Sequence, residues 1–266
     1  MNSKQWNSTA GAFCDGVCDD TPHMAFHSTV YALAFGAASD THLNDAWEYV
    51  RSRSTLSPTT THQSSAAEEP VAQTTFSGMP CGVYPAQFVL TALYQKFEDN
   101  GAAAFDILTS DAKNTWLAML KKGATMTMEM WSEDEKPNLT WSHPWASSPA
   151  FIIAWYTFGI RPLEPGFAKV AIKPQVGALT SGRYTLPTVL GPIIVRFRKS
   201  DTSFALHVSL PASSVGVVSI PMLAADRGAA ASALRVDGSL VVAASAERGF
   251  AVVTVSGGAH YISVGL

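Results

Sequence analysis

The chain has 266 residues, of which 47% are hydrophobic and 15% charged, with a net charge of −3 and an isoelectric point near 6.1. This is enough apolar material for one large domain or two ordinary ones, while the mild acidity and the lack of a Lys/Arg stripe exclude a nucleic-acid-binding surface. No apolar run is long enough to span a membrane. The start, MNSKQWNSTAGAF, has no apolar core of a secretory signal, so a cytoplasmic location is the default expectation.

Residues 1–21 are polar and Asp/Gly-rich, and read as a loop. Thr21 as N-cap with Pro22 at the first helical position predicts a helix over residues 23–35, apolar on nearly every side, with Gly36 as its C-cap. Asp40 then caps a second helix over about 42–53, with Leu43, Ala46, Trp47 and Val50 on one face, so the two form a helical hairpin. Residues 54–75 are low-complexity Ser/Thr/Ala/Pro and read as a disordered or surface insertion. A helix over 83–98 follows, begun by Pro85, with Val83, Ala86, Leu90, Leu93 and Phe97 at helical spacing. Shorter helices are expected at 102–109 and 112–121, the latter with Trp116, Leu117 and Leu120 inward. Residues 146–159 form a last apolar helix, which Pro162 forbids from continuing.

From Gly166 the apolar period switches from helical to two, as in Ile193, Val195, Phe197 and again Phe204, Leu206, Val208, Leu210. Turns are expected at 199–202 and, more strongly, at Asp237-Gly238. About seven or eight strands suggest an antiparallel β-sandwich. The fold class is therefore α + β in two domains, helices over residues 1–165 and a sandwich over 166–266, with the boundary near 163–168.

The chemistry concentrates between Gly123 and Pro149. Glu129 sits between Met128, Met130 and Trp131; the acidic run Glu133, Asp134, Glu135 follows; then Trp141, His143 and Trp145 cluster. Indoles stack on the CH faces of pyranoses, and a carboxylate and an imidazole can address hydroxyls or a water, so this is the inventory of a sugar site. Burial in a core is the plainer explanation of each indole, and the acidic run reads as a solvated loop. Apolar neighbours raise a carboxyl pKa, so Glu129 must accept hydrogen bonds to stay ionised near neutrality. Cys14, Cys18, His23 and His27 have the residue types of a zinc site, but only four residues separate the Cys pair from the His pair, too tight for one tetrahedral cage. The odd count of three cysteines favours reduced thiols.

The order of motifs is informative. Gly78-Met79-Pro80-Cys81-Gly82-Val83-Tyr84, Met128-Glu129-Met130-Trp131, Lys136-Pro137-Asn138, Trp141-Ser142-His143-Pro144-Trp145 and Gly159-Ile160-Arg161-Pro162-Leu163-Glu164-Pro165-Gly166-Phe167 resemble the α-L-rhamnosidase family of inverting glycoside hydrolases. His23 and His27, followed by Ala34-Phe35-Gly36, are similar as well. The resemblance implies part of a six-hairpin (α/α) toroid followed by a C-terminal β-sandwich, with hydrolysis of terminal α-L-rhamnosides as the activity. It implies Glu129 as general base, His143 as a sugar-hydroxyl contact, and Trp131, Trp141, Trp145 and His27 as further substrate-binding candidates. It implies a carbohydrate substrate, no cofactor and no metal.

The chain also departs from the family. A toroid of six hairpins needs more helices than precede this sandwich, and no stretch among residues 1–21 resembles the family's general acid or its rhamnose-gripping loops. An inverting enzyme needs two carboxyl groups roughly 6.5–9.5 Å apart. The expected identity is thus a C-terminal part of such an enzyme, with another chain as a candidate to complete the barrel. The rival from a different class is a non-catalytic carbohydrate-binding or interaction protein. A polysaccharide lyase is a weaker third, since residues 123–149 offer no Arg or Tyr to assist a base.

Overall fold

The computed structural model describes residues 4–19, 22–54, 79–96, 100–222, 234–243, 245–247 and 249–265. Its contacts divide the chain into two compact units, one of residues 1–96 and 103–149, the other of residues 97–102 and 150–266. Beyond Ser54, the low-complexity stretch 54–75 lies outside the described residues.

The first unit opens with a small antiparallel hairpin, β1 (Trp6–Asn7) and β2 (Ala12–Phe13). Helices α1 (Phe26–Ala34), α2 (Leu43–Ser54) and α3 (Ala86–Leu93) follow and pack on one another. The helices are too short to persist alone, so packing holds them. Val30, Leu33, Ala46, Val50, Val89, Leu90 and Leu93 are all buried. Two polar groups drawn in with them are satisfied: the Trp47 indole donates to the Leu93 carbonyl at 2.9 Å, and Phe13 N–H donates to Thr29 Oγ1 at 2.9 Å. Two shorter helices, α4 (Ala102–Thr109) and α5 (Trp116–Lys121), lead to the site stretch.

Three local expectations need correction. Helix α1 begins at Phe26, not near Thr21-Pro22, because the preceding residues are held elsewhere: Asp15 pairs with His23 Nδ1 at 2.6 Å and accepts from Ala25 N–H at 3.2 Å. Helix α5 begins only at Trp116, where Thr115 caps it by accepting from Ala118 N–H at 3.3 Å. It turns Trp116 and Met119 inward, leaving Leu120 65% exposed. Finally, Cys14 and Cys18 are joined in a disulfide with Cα atoms 5.7 Å apart. Cys14 N–H and Cys18 N–H donate to Gln5 and Lys4 carbonyls, folding the intervening loop so that the two thiols meet.

The second unit begins with α6 (Pro149–Ile152), which widens into a π-helical turn over Ile153–Thr157. Gly159 stops it at φ +70°, where an added Cβ would lie 2.1 Å from the Lys173 carbonyl carbon, so only glycine fits. The strands are β3 (Ile160–Pro162), β4 (Lys169–Ile172), β5 (Ser181–Leu186), β6 (Ile193–Lys199), β7 (Phe204–Leu210), β8 (Val215–Pro221), β9 (Arg235–Val236), β10 (Ser239–Leu240), β11 (Ser245–Glu247), β12 (Phe250–Val255) and β13 (Gly258–Val264). They form a six-stranded sheet, β10-β9-β13-β7-β6-β5, and a five-stranded sheet, β11-β12-β8-β4-β3. All pairs are antiparallel except β4 with β8. One core draws on both sheets, with Val195, Phe197, Leu206 and Ile262 from the first and Ile172, Val218, Ile220 and Val253 from the second. This is the β-sandwich the period-two pattern indicates. The strands in excess of seven or eight are two- and three-residue pieces, too short to show a period. Asp237 and Gly238, both at positive φ, make the tight turn between β9 and β10.

Candidate functional site

The site stretch has little regular structure, and its shape comes from a backbone clasp. Glu129 N–H donates to the Thr140 carbonyl at 2.9 Å, and His143 N–H donates to the Thr127 carbonyl at 2.7 Å. The Thr127 hydroxyl returns a bond to the His143 carbonyl at 2.7 Å. Residues 127–129 and 140–143 are thereby held side by side, which brings Glu129 to His143 across fourteen residues of sequence. Met128, Trp131 and Leu139 are buried beneath the clasp.

The acidic run is not simply solvated. Glu133 pairs with Lys122 at 2.6 Å and Asp134 with Lys113 at 3.1 Å, both across exposed or half-exposed surface. With these two acids already matched, Lys136 turns back and pairs with Glu129 Oε1. The other oxygen, Oε2, accepts from Thr140 N–H at 3.0 Å. The Glu129 side chain is 15% exposed, yet its pKa falls to about 2. The Lys136 hydrogen bond is the largest cause and the Thr140 amide the next; both outweigh the desolvation that the flanking Met and Trp residues predict. Glu129 is therefore an ionised carboxylate with both oxygens engaged.

The aromatic candidates separate in the structure. The Trp145 indole donates to the Glu129 carbonyl at 3.1 Å, and its ring lies 4.4 Å from the His143 imidazole. Trp145 and Trp141 remain 44% and 42% exposed. Trp131 is spent inside the unit: it is 1% exposed, donates to the Cys81 carbonyl at 2.6 Å and meets Trp116 edge-on at 5.2 Å. His27 is half-buried on α1, one helical turn before Tyr31, with the two rings 6.0 Å apart.

His27 nevertheless joins the others through a run of rings. From Trp145 the contacts pass to Tyr84 at 6.1 Å, to Phe88 at 6.2 Å, and then to Phe35 at 5.4 Å and Tyr31 at 5.2 Å. Tyr31 and Phe35 follow His27 at four-residue intervals on and just beyond α1, which sets them on one helix face, and Tyr84 lies in the turn that leads into α3, four residues before Phe88. Phe35 and Tyr84 are exposed. Sequence reasoning gave no role to Tyr84 or Lys136. Both lie in motifs that carry the family resemblance, which is the one signal that points to them; the closure of the clasp and the packing of α3 are what bring them to the site.

Among the described residues no cluster of His, Cys, Asp and Glu is arranged to hold a metal, and no helix is long and apolar enough to cross a membrane. A cavity of about 730 Å³ in the sandwich unit is lined by Pro162, Leu163, Glu164, Phe167, Pro187 and Val189, among others. It holds one carboxylate and no histidine, so it offers no acid–base pair.

The chain is similar to known proteins along most of its length. Residues 11–156 match the family model of the bacterial α-L-rhamnosidase six-hairpin glycosidase domain, and residues 159–234 that of the bacterial α-L-rhamnosidase C-terminal domain. An α-L-rhamnosidase of Streptomyces avermitilis is 27% identical over 169 residues, which are 60% of this chain and 16% of the relative. A solved Streptomyces avermitilis α-L-rhamnosidase complexed with L-rhamnose superposes with a TM-score of 0.65 at 22% identity, over 96% of this chain and 23% of that one. The α-L-rhamnosidase of Dictyoglumus thermophilum gives 0.68 at 15% identity, over 91% and 26%. The chain thus spans about a sixth of the curated relative and about a quarter of each solved structure.

Proposed function

Because the chain belongs to the bacterial α-L-rhamnosidase six-hairpin glycosidase family, we propose that it carries the base-bearing wall of a site for terminal α-L-rhamnosides. One observation carries this reading: an ionised glutamate is fixed beside a histidine and an exposed indole, at the end of a run of rings. In an inverting hydrolysis, Glu129 takes a proton from the water that attacks the anomeric carbon, while a carboxylic acid on the opposite face protonates the leaving oxygen. His143 and Trp145 supply a hydroxyl contact and a stacking face, and Trp141 and Tyr84 extend that face.

The opposing acid is supplied from outside this chain, by a further segment or by another chain that closes the ring. The acids nearest in sequence, Glu133 and Asp134, are committed to Lys122 and Lys113. On this reading residues 1–165 are the catalytic segment and 166–266 an accessory sandwich. The same commitment favours a second reading, a sugar-binding protein without turnover. Titration with L-rhamnose, followed by tryptophan fluorescence, together with an assay on an aryl α-L-rhamnoside, separates the two. Binding that Glu129→Gln weakens supports the site. Turnover by the chain alone shows that the acid lies within it. No quenching at millimolar sugar refutes the site.

A further inference from the structure

We propose that Lys136 is the positioning residue of this site: its ammonium locks the Glu129 carboxylate in a single orientation towards the ligand. The inference rests on the reading of Glu129 as a ligand-facing carboxylate, and it goes beyond that reading by assigning a role to a side chain seven residues away.

The loop is constructed to deliver this lysine. Three acids precede Lys136, and any of them could compete for its charge. Two are already taken, Glu133 by Lys122 and Asp134 by Lys113. The loop is closed from within by Glu135 N–H to the Ser132 carbonyl at 3.2 Å and by Leu139 N–H to the Lys136 carbonyl at 3.0 Å. Leu139 is buried at its base, and Pro137 fixes φ directly after the lysine. Lys136 is therefore held on a pinned turn, so that pairing with Glu129 costs less side-chain freedom than for a lysine on an open surface.

The two contacts on the carboxylate divide the work. Thr140 N–H holds Oε2 through a backbone that the clasp fixes, and Lys136 holds Oε1. Either alone leaves rotation about the last side-chain bond; together they remove it. An ammonium carries three donors, so with one given to Glu129 the rest can meet a sugar hydroxyl beside the carboxylate. The Lys136 side chain is 40% exposed, which leaves room for that contact.

The charged and titratable groups facing Glu129 are Lys136 and His143. Both favour the ionised form, Lys136 the more strongly. Glu129 thus stays charged down to a pH of about 2, against an ordinary value near 4.5. Without Lys136, the Thr140 amide and desolvation act in opposite directions, and the midpoint returns towards the ordinary value.

The test is a carboxyl-carbon NMR titration of the Glu-labelled full chain from pH 3 to 7, with Lys136→Met, Lys136→Gln and Lys136→Arg beside the wild type and Glu129→Gln as the assignment control. In wild type the Glu129 signal should stay at its ionised position down to about pH 3. In Lys136→Met and Lys136→Gln it should titrate within this range, at a clearly higher pH than in wild type, and Lys136→Arg should restore the wild-type profile. An unmoved midpoint in a folded Met or Gln variant overturns the proposal, as does a moved midpoint in the Arg variant. Near-UV circular dichroism reports folding. L-rhamnose titration at pH 4 separates this failure from that of the parent reading. If Glu129→Gln binds as wild type does, the site reading fails. If Glu129→Gln loses binding while Lys136→Met keeps it in full, only the role of Lys136 fails.

Discussion

The two units spend their aromatic and apolar residues differently. In the sandwich, Phe158, Phe197 and Phe204 meet one another and the inward-facing strand residues, and one core serves both sheets. In the helical unit, Phe35, Tyr84, Trp141 and Trp145 stay exposed after the helices have packed. The sandwich unit also leaves apolar side chains exposed, Val189 and Val242 the most. What sets the helical unit apart is that Phe35, Tyr84 and Trp145 belong to one connected run of rings that ends beside Glu129. A connected run of partly exposed rings is the kind of surface that a ligand can cover. On the proposed function, these rings serve the ligand, whereas the sandwich is held by the packing of its two sheets.

The sharpest way to break that contrast is Gly159→Ala in the sandwich unit. It forces a side chain into the left-handed region and against the Lys173 backbone, and should cost at least about 3 kcal/mol. Calorimetry should show the loss as a large drop in the melting temperature. Next is Leu90→Ala in the helical unit, where the side chain is fully buried on α3; it should cost about 2–5 kcal/mol by chemical denaturation. If Leu90→Ala proves nearly neutral, the helical unit has no packed core of its own and the comparison fails.

The exposed rings should behave in the opposite way. Tyr84→Ser and Phe35→Ser should change stability by no more than about 0.5 kcal/mol, as for surface positions. On the proposed function, Tyr84→Ser should weaken the binding of an aryl α-L-rhamnoside several-fold, measured by fluorescence titration. Strong destabilisation by either change would place these rings in a core and remove the contrast between the units.

How much of this was legible in the sequence depends on the range of the interaction. The sandwich could be read because a period of two records burial directly, and the Asp237-Gly238 turn because both residues tolerate positive φ. Helix α2 could be read from Ala46, Trp47 and Val50, all buried. The start of α1 could not, because Asp15 claims His23 and Ala25 from across a loop. The Cys14–Cys18 bond was hidden for a similar reason, since the bonds to Lys4 and Gln5 that set its geometry come from outside the pair. At the site, Glu129, His143 and Trp145 stood out by residue type. Lys136 and Tyr84 did not, because their places depend on a clasp and on helix packing. Glu129 does accept the hydrogen bonds it needs to stay ionised among apolar neighbours, but their donors, Lys136 and the Thr140 amide, could not be named from the sequence.

The smallest effect belongs to the sandwich, at the lock on its β9–β10 turn. Asp237 Oδ1 accepts from Tyr261 N–H at 2.8 Å and Oδ2 meets His260 Nδ1 at 2.9 Å, while His260 Nε2 reaches the Ser256 carbonyl at 3.0 Å. The Tyr261 amide and then His260 hold the Asp237 carboxyl below its ordinary value of 3.8. A depressed folded-state pKa stabilises the fold above the unfolded value, and this contribution disappears as pH falls through the folded one. Asp237→Asn should therefore lower the melting temperature slightly at pH 7 and by less as the pH falls below the ordinary carboxyl value. The half-exposed carboxylate limits the effect to the few tenths of a kcal/mol, roughly, of an exposed ion pair. Hydrogen exchange at Tyr261 N–H should rise in the same variant, since that amide loses its charged acceptor. A pH-independent change would assign the lock to turn geometry, in which Asn substitutes well for Asp at positive φ, and would leave the sandwich with no charge-dependent element at this edge.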